Sequence, residues 1–218
     1  MKKECRKYYF SVEGQTEKWY LEWLQKQINS CEKASYNVDF APMVEKNPKK
    51  MVKKIPILSS MKIAHIFDFE EVGNETSFQE TLSFMKEASK LKKNVKYILG
   101  YCNYTFDLWI ILHKKCLMSS KSYRSDYLSE INKCYGQSFE SMPEYKNEDN
   151  FKKILSSLSL DDVLIAIKNA EKICNHNEKI NNKIQYSGYE YFRENPSLNL
   201  HEYIKEILKD VGLWQKNK

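Results

Sequence analysis

At 218 residues the chain can bury a hydrophobic core, as one domain or as a core with a substantial appendage. Apolar residues make up 42% and charged ones 29%, and glycine and proline are scarce, so a soluble globular protein without long flexible linkers is expected. No apolar run approaches the length of a membrane span, and the basic start Met1-Lys2-Lys3-Glu4-Cys5-Arg6-Lys7 is not followed by an apolar segment or a small-residue cleavage site. These features predict a cytoplasmic protein.

The six cysteines are scattered, with no CxxC pair, which fits neither a zinc ribbon nor a small disulfide scaffold. Reduced and mostly buried thiols are expected. The formal charge of +6 is modest, yet the lysines are bunched. Lys46, Lys49, Lys50, Lys53 and Lys54 form one cluster, and Lys86, Lys90, Lys92, Lys93 and Lys96 another. Such runs either contact phosphates or simply solvate a helix face. Lys49, Lys50, Lys53 and Lys54 are the candidate nucleic-acid contacts.

In chain order, Lys7-Tyr8-Tyr9-Phe10-Ser11-Val12 is a short apolar run that stops at Glu13-Gly14, the pattern of a strand and an acidic turn. A helix is predicted over Thr16 to Ile28, where Tyr20, Trp23, Leu24 and Ile28 make one stripe. Tyr36 to Val44 alternates around Asn37 and Asp39, as a strand with one wetter face does. Asn47-Pro48 then opens a short helix carrying Met51, Val52, Ile55 and Leu58, with Pro56 near its end. Ile63-Ala64-His65-Ile66-Phe67 lacks strict alternation, as in a strand buried on both faces, and ends in Asp68-Phe69-Glu70-Glu71. Side chains two apart on a strand share a side, so Asp68 and Glu70 are expected to project together. Gly73-Asn74 turns into a helix from about Thr76 to Lys92, and Val95 to Tyr101 is a fourth strand. Between Cys102 and His113 an apolar segment carries Asp107 near its beginning and His113 at its end. A helix-dipole role for Asp107 and a packing role for His113 are the structural alternatives to catalysis.

Beyond Lys115 the alternation of strands and helices stops. Asp126 to Tyr135 and Asn150 to Leu158 read as helices around a polar loop from Gly136 to Asn147. Ser159-Leu160-Asp161-Asp162 resembles a capping box, opening a helix with Val163, Leu164, Ile167, Ala170 and Cys174. An Asn-rich loop from Asn175 to Gln185 and a last helix with Leu200, Ile204, Ile207, Leu208 and Val211 complete the chain. The fold expected is α/β: a core over residues 1–115 with a mostly parallel central sheet flanked by helices, and a mainly helical extension over residues 116–218 packed on it.

Glu13, the Asp68/Glu70 pair and Asp107 each fall at or just beyond the carboxyl end of a predicted buried strand. In an open parallel sheet those ends share one edge, where ligand sites form. Carboxylates gathered there repel each other, and a divalent cation such as magnesium or manganese would relieve that. Two such ions roughly 3.5–4 Å apart can activate water and stabilise the leaving oxygen of a phosphodiester. The structural alternative is that these acids are caps and turn residues partnered by lysines.

Four segments bear a family resemblance. Glu13-Gly14-Gln15-Thr16-Glu17-Lys18-Trp19-Tyr20-Leu21 resembles the "EGxTExxYF" opening of the RloB-like proteins, a family with a Toprim-type core. Asp68-Phe69-Glu70 sits where Toprim domains carry paired acids, Asn103 to His113 is similar to "SNPxFExWLLLH", and Asn195 to His201 is similar to "NPSTNVH". The order of these motifs, from residue 13 to residue 201, covers nearly the whole chain.

The resemblance implies a prokaryotic protein of restriction and phage-defence loci with a metal-dependent nuclease core. It places acid–base or metal-binding chemistry on Glu13, magnesium binding on Asp68 and Glu70, and the family's "FExW" acid and following histidine on Asp107 and His113. Three positions depart from the pattern: Glu70 replaces the second acid of "DxD", with Glu71 adjacent, Asp107 is a methylene shorter than glutamate, and Tyr104 stands for the proline of "SNP".

The leading expectation is a magnesium-dependent nuclease of RNA or DNA in phage defence, with Glu13, Asp68 and Glu70 as the metal or acid–base set. Asp107 would assist, and His113 would donate a proton or orient an acid. His201 is expected to cap or pack. The alternative is a non-catalytic nucleic-acid or nucleotide sensor beside a partner ATPase, since the chain has no Walker-type loop of its own. A structural subunit ranks third, because it leaves the strand-end acids unexplained.

Overall fold

A computed structural model describes residues 3–56, 60–70, 73–91 and 94–214. In chain order the elements are β1 (Cys5–Val12), α1 (Gln15–Ser30), β2 (Asn37–Val44), α2 (Pro48–Lys54), β3 (Met61–Asp68), α3 (Glu75–Leu91), β4 (Val95–Asn103) and α4 (Asp107–Leu112). They continue with α5 (Asp126–Tyr135), α6 (Met142–Tyr145), α7 (Glu148–Ser156), α8 (Leu160–Ile180), β5 (Ile184–Tyr186), β6 (Tyr189–Tyr191), β7 (Ser197–Leu198) and α9 (Leu200–Asp210).

Five strands form one sheet in the order β2-β1-β3-β4-β7. The first four are parallel, and β7 runs antiparallel along β4. The central strands are wet at their starts and dry at their ends: the last six residues of β3, Ile63 to Asp68, are all buried. Covering helices on both sides produce that pattern. Phe10, Val12, Ala64 and Ile66 face a core built with α1, α4, α8 and α9, while Ile63, Phe67, Tyr97, Leu99 and Tyr101 face a smaller core under α2 and α3. Gly100 lets β3 and β4 meet closely, since a Cβ there would stand 3.0 Å from the His65 carbonyl oxygen.

Local chemistry sets several boundaries as expected. The Asn47 side chain accepts the Lys49 and Lys50 N–H groups at the start of α2, with Pro48 in the first position. Ser159 and Asp162 form a reciprocal capping box on α8. Gly136, left-handed at φ 61°, ends α5. Leu58 of the predicted second helix lies outside the described residues.

Three expectations are corrected, two of them by tertiary contact. The loop placed at 175–185 is helix as far as Ile180, because buried Asn177 donates to the Pro196 carbonyl at 3.0 Å and fastens the helix end to the chain beyond it. A two-stranded hairpin follows, β5 with β6, whose Tyr191 is buried against Phe69 and Phe78. One turn of helix, α6, interrupts the 136–147 loop, capped by Ser141 and with Tyr145 buried. All six cysteines are free as expected, but only Cys102 is buried and Cys5 is exposed.

Residues beyond 115 also close one face of the sheet. Ile167 of α8 and Ile204 and Leu208 of α9 join Phe10, Leu24 and Trp109 in the larger core. Among the described residues no helix is long and apolar enough to cross a membrane.

Candidate functional site

The carboxyl ends of β1 and β3 lie side by side, with Val12 opposite Ile66. Glu13 leaves β1 just before α1 begins, and its Oε2 accepts the Asp68 N–H at 3.1 Å. Asp68, the last residue of β3, is held on both oxygens: Oδ1 accepts the Phe106 N–H at 2.7 Å, and Oδ2 accepts Arg124 Nη2 at 2.9 Å. Glu70 is left-handed at φ 64°. Its N–H donates to the Tyr104 carbonyl, and its Oε1 lies 3.4 Å from Arg124 Nη1. Asp68 and Glu70 thus face one guanidinium, which brings them to the same side.

Asp107 opens α4 in full burial. Its Oδ2 accepts the Thr105 hydroxyl at 2.8 Å and pairs with Lys146 Nζ at 3.0 Å, while the buried Tyr145 ring faces the same carboxylate. Glu17, in the first turn of α1, is buried and accepts the Thr16 hydroxyl at 3.2 Å. Among the described residues, five carboxylates therefore share this edge with Arg124 and Lys146, and the charge of Lys46 also reaches Glu13.

Burial is the first cause of the electrostatics here. It raises the Glu13 carboxyl against the opposing pull of the Asp68 N–H and Lys46, and it raises Glu17 as well. Asp68 is pushed well above the usual carboxylate range by burial and then by Glu17, with Lys146 and Arg124 acting the other way. For Lys146 burial pulls downward, but Asp107 and Asp68 outweigh it and its ammonium is held charged.

The remaining candidates lie elsewhere. His113 stands at the opposite end of α4 from Asp107, fully buried, with Nε2 at 3.1 Å from the Tyr20 hydroxyl and Nδ1 at 2.8 Å from the Trp109 carbonyl. Its imidazole is pushed down to about 4 by burial, so it is neutral at ordinary pH. These contacts are those of a packing residue. His201, buried in the first turn of α9, is likewise in the core.

Of the α2 lysines, Lys49 pairs with Glu87 at 2.8 Å and Lys54 with Glu45 at 2.6 Å. Lys49, Lys50 and Lys53 line an open groove of about 620 Å³ between α2 and α3, joined there by Lys90. From the same run it is Lys46 whose charge reaches Glu13. Glu71, Lys92 and Lys93 lie outside the described residues.

Four participants escaped sequence reasoning. Glu17 and Thr16 stand inside the motif that names Glu13, so a signal for them existed. Arg124 and Lys146 had none, since each reaches its carboxylate partner across a long stretch of chain, 56 residues from Arg124 to Asp68.

The magnesium ion that the resemblance implies takes hard oxygen donors, and this edge offers carboxylates in excess over cations, including a buried Asp107 Oδ1 with no hydrogen-bond partner among the described residues. The donor set fits in kind. Among the described residues no group of three or more His, Cys, Asp or Glu side chains is set out to hold a metal ion, and Arg124 takes the place between Asp68 and Glu70.

No curated protein and no solved structure matches the chain. The family model described as RloB-like protein matches residues 8–207, which takes in the sheet apart from the first three residues of β1 and every residue of the carboxylate edge. The chain belongs to the RloB-like family.

Proposed function

We propose that the chain is a magnesium-dependent phosphodiesterase that cleaves RNA or DNA in prokaryotic phage defence, with its reaction at the Glu13–Asp68–Glu70 edge. The observation that carries this reading is the meeting of these three acids at adjacent strand ends, tied by the Asp68 N–H bond to Glu13 and by one guanidinium across Asp68 and Glu70. Glu13, Asp68 and Glu70 would hold the ion. When bound, it would supply charge neutralisation and an activated water.

The chain's own residues have separate tasks in this reading. Glu13, its carboxyl raised by burial, is suited to take a proton from the attacking water. Arg124, partly exposed, presents a guanidinium to the phosphate. Lys146, held by buried Asp107, offsets charge behind the edge. Lys50 and Lys53 add attraction for the polyanion that does not depend on sequence.

Glu13→Ala and Asp68→Ala should each abolish magnesium- or manganese-dependent cleavage of RNA and DNA substrates while far-UV circular dichroism stays unchanged. Cleavage retained by both purified variants would overturn the mechanism.

One observation favours a second reading, a non-catalytic nucleic-acid or nucleotide sensor that partners an ATPase. Arg124 already pairs with Asp68 and Glu70, as at an edge that neutralises itself. In that case magnesium or manganese should give no Asp68-dependent rise in Tm, whereas the nuclease reading requires one.

A further inference from the structure

Beside the carboxylate edge is a cavity of about 460 Å³, within the size range of small-molecule sites. One wall is a stripe on the last turns of α8, Ile173, His176, Asn177, Ile180 and Asn181, spaced by threes and fours so that they share a helix face. Met118, Tyr104 and the Asn195-Pro196 segment contribute the rest of the lining used below.

This cavity and the acids are joined through backbone. Tyr104 lines the cavity while its carbonyl accepts the Glu70 N–H at 3.0 Å. The Asn195 side chain accepts the Lys121 N–H at 2.8 Å and donates to the Lys121 carbonyl at 3.1 Å, three residues before Arg124. The cavity thus adjoins Glu70 through Tyr104 and the segment leading to Arg124 through Asn195.

The lining is unlike a gap in packing. Met118 and Ile180 are 41% and 62% exposed, large apolar side chains held at a polar mouth. Buried Asn177 donates to the Pro196 carbonyl and accepts from Asn181 Nδ2, both at 3.0 Å. That fixes the Asn181 amide and leaves its Oδ1 without a hydrogen-bond partner among the described residues. The exposed His176 ring is also without one among the described residues.

Two apolar flanks, a ring available for stacking and an oriented amide acceptor suit a flat heterocycle with a polar edge. We propose that this cavity receives one unpaired nucleobase of a single-stranded nucleic acid whose neighbouring phosphate lies at the carboxylate edge. The proposal rests on the phosphodiesterase reading for that phosphate and adds what it does not contain: a preference for unpaired strands and a base-reading subsite on α8.

Fluorescence anisotropy with calcium in place of magnesium or manganese, so that oxygen donors still have a divalent ion while magnesium-dependent cleavage is withheld, tests it with labelled single-stranded RNA and DNA oligonucleotides and with abasic strands of equal length. The wild-type chain should bind base-bearing strands about tenfold more tightly than abasic ones. Ile180→Ala with Asn181→Ala should remove that preference and leave abasic binding unchanged. His176→Ala, at an exposed position of the lining, is the second variant and should weaken only base-bearing strands. Equal binding of both strands by the wild type, no binding of either, or equal losses on both in the variants overturns the proposal. A wild type that keeps the base preference but never cleaves counts against the phosphodiesterase reading alone. Cleavage without base preference removes only the subsite.

Discussion

The carboxylate edge and the lysines of α2 look alike as strings of charge and behave differently in the fold. At the edge, Asp68 and Asp107 are buried, and their cations arrive from the far half of the chain. On α2 four lysines stand within seven residues: Lys49 pairs with exposed Glu87, Lys54 with partly buried Glu45, and Lys50 and Lys53 with no acid among the described residues. Charges of the second kind are screened by salt and contribute little to stability. Charges of the first kind are costly to strand, so their partners become structural necessities. The location of a charge, more than its density along the chain, decides what it can do.

The sharpest way to break this contrast is Lys146→Met. It leaves Asp107 fully buried without the ammonium at 3.0 Å. Because the lysine is itself partly exposed, we expect a loss of about 2–3 kcal/mol in urea unfolding, below the full cost of a stranded buried charge. Adding Asp107→Leu should recover part of that loss. A loss under about 0.5 kcal/mol would mean that the edge is solvated much as α2 is.

The next test uses a site that lies between the two extremes. Glu130 accepts Lys121 and Lys115 at 2.8 and 2.9 Å, and these hydrogen bonds bring its carboxyl down to about 2 from a usual 4.5. A lowered carboxyl stabilises the folded state above its usual value and loses that contribution as pH falls towards its folded value. Glu130→Gln should therefore lower stability by about 1.5–2 kcal/mol at neutral pH and have little effect near pH 2, as read by denaturation across pH. A variant equally destabilised at both ends would show that the site works by packing instead.

Glu17 should show the opposite sign. Burial raises its carboxyl above 4.5, so the folded chain keeps that proton longer than the unfolded one. The resulting stability is full below the usual value and declines as pH rises through the raised one. Glu17→Gln should thus raise Tm relative to the wild type at neutral pH and change it little in acid. A Tm difference that does not vary with pH would remove burial as the cause.

The contrast also explains what could be read along the chain. β1 and β3 were legible because burial near their ends leaves short apolar runs, as in Ile63 to Phe67, and the edge strand β2 was legible from its alternation. Glu13, Asp68, Glu70 and Asp107 were legible because parallel strands carry their ends to one edge. Hairpin β5–β6 and strand β7 were not, since three or two residues hold too little periodicity, and their pairing depends on Tyr191 and Leu198 finding the sheet's core. Arg124 and Lys146 look like ordinary surface cations until the fold brings them beneath Asp68 and Asp107. His113 carried the opposite ambiguity: a histidine in a family motif suggests chemistry, yet its bonds to Tyr20 and Trp109 are those of the core.

The smallest effect belongs to α2 and is the cleanest measure of the distinction. Lys53→Ala should change stability by no more than about 0.5 kcal/mol, because the side chain is exposed and holds no ion pair among the described residues. If the groove between α2 and α3 attracts a phosphate backbone, the same variant should reduce the slope of log affinity against log salt by about 1 for all oligonucleotide sequences alike. Lys54→Ala should reduce it less, since Glu45 at 2.6 Å already competes for that ammonium. Equal slopes for the wild type and both variants would leave the α2 lysines as a solvated helix face, and the polyanion's attraction would then fall to Lys46, Arg124 and Lys146 at the edge.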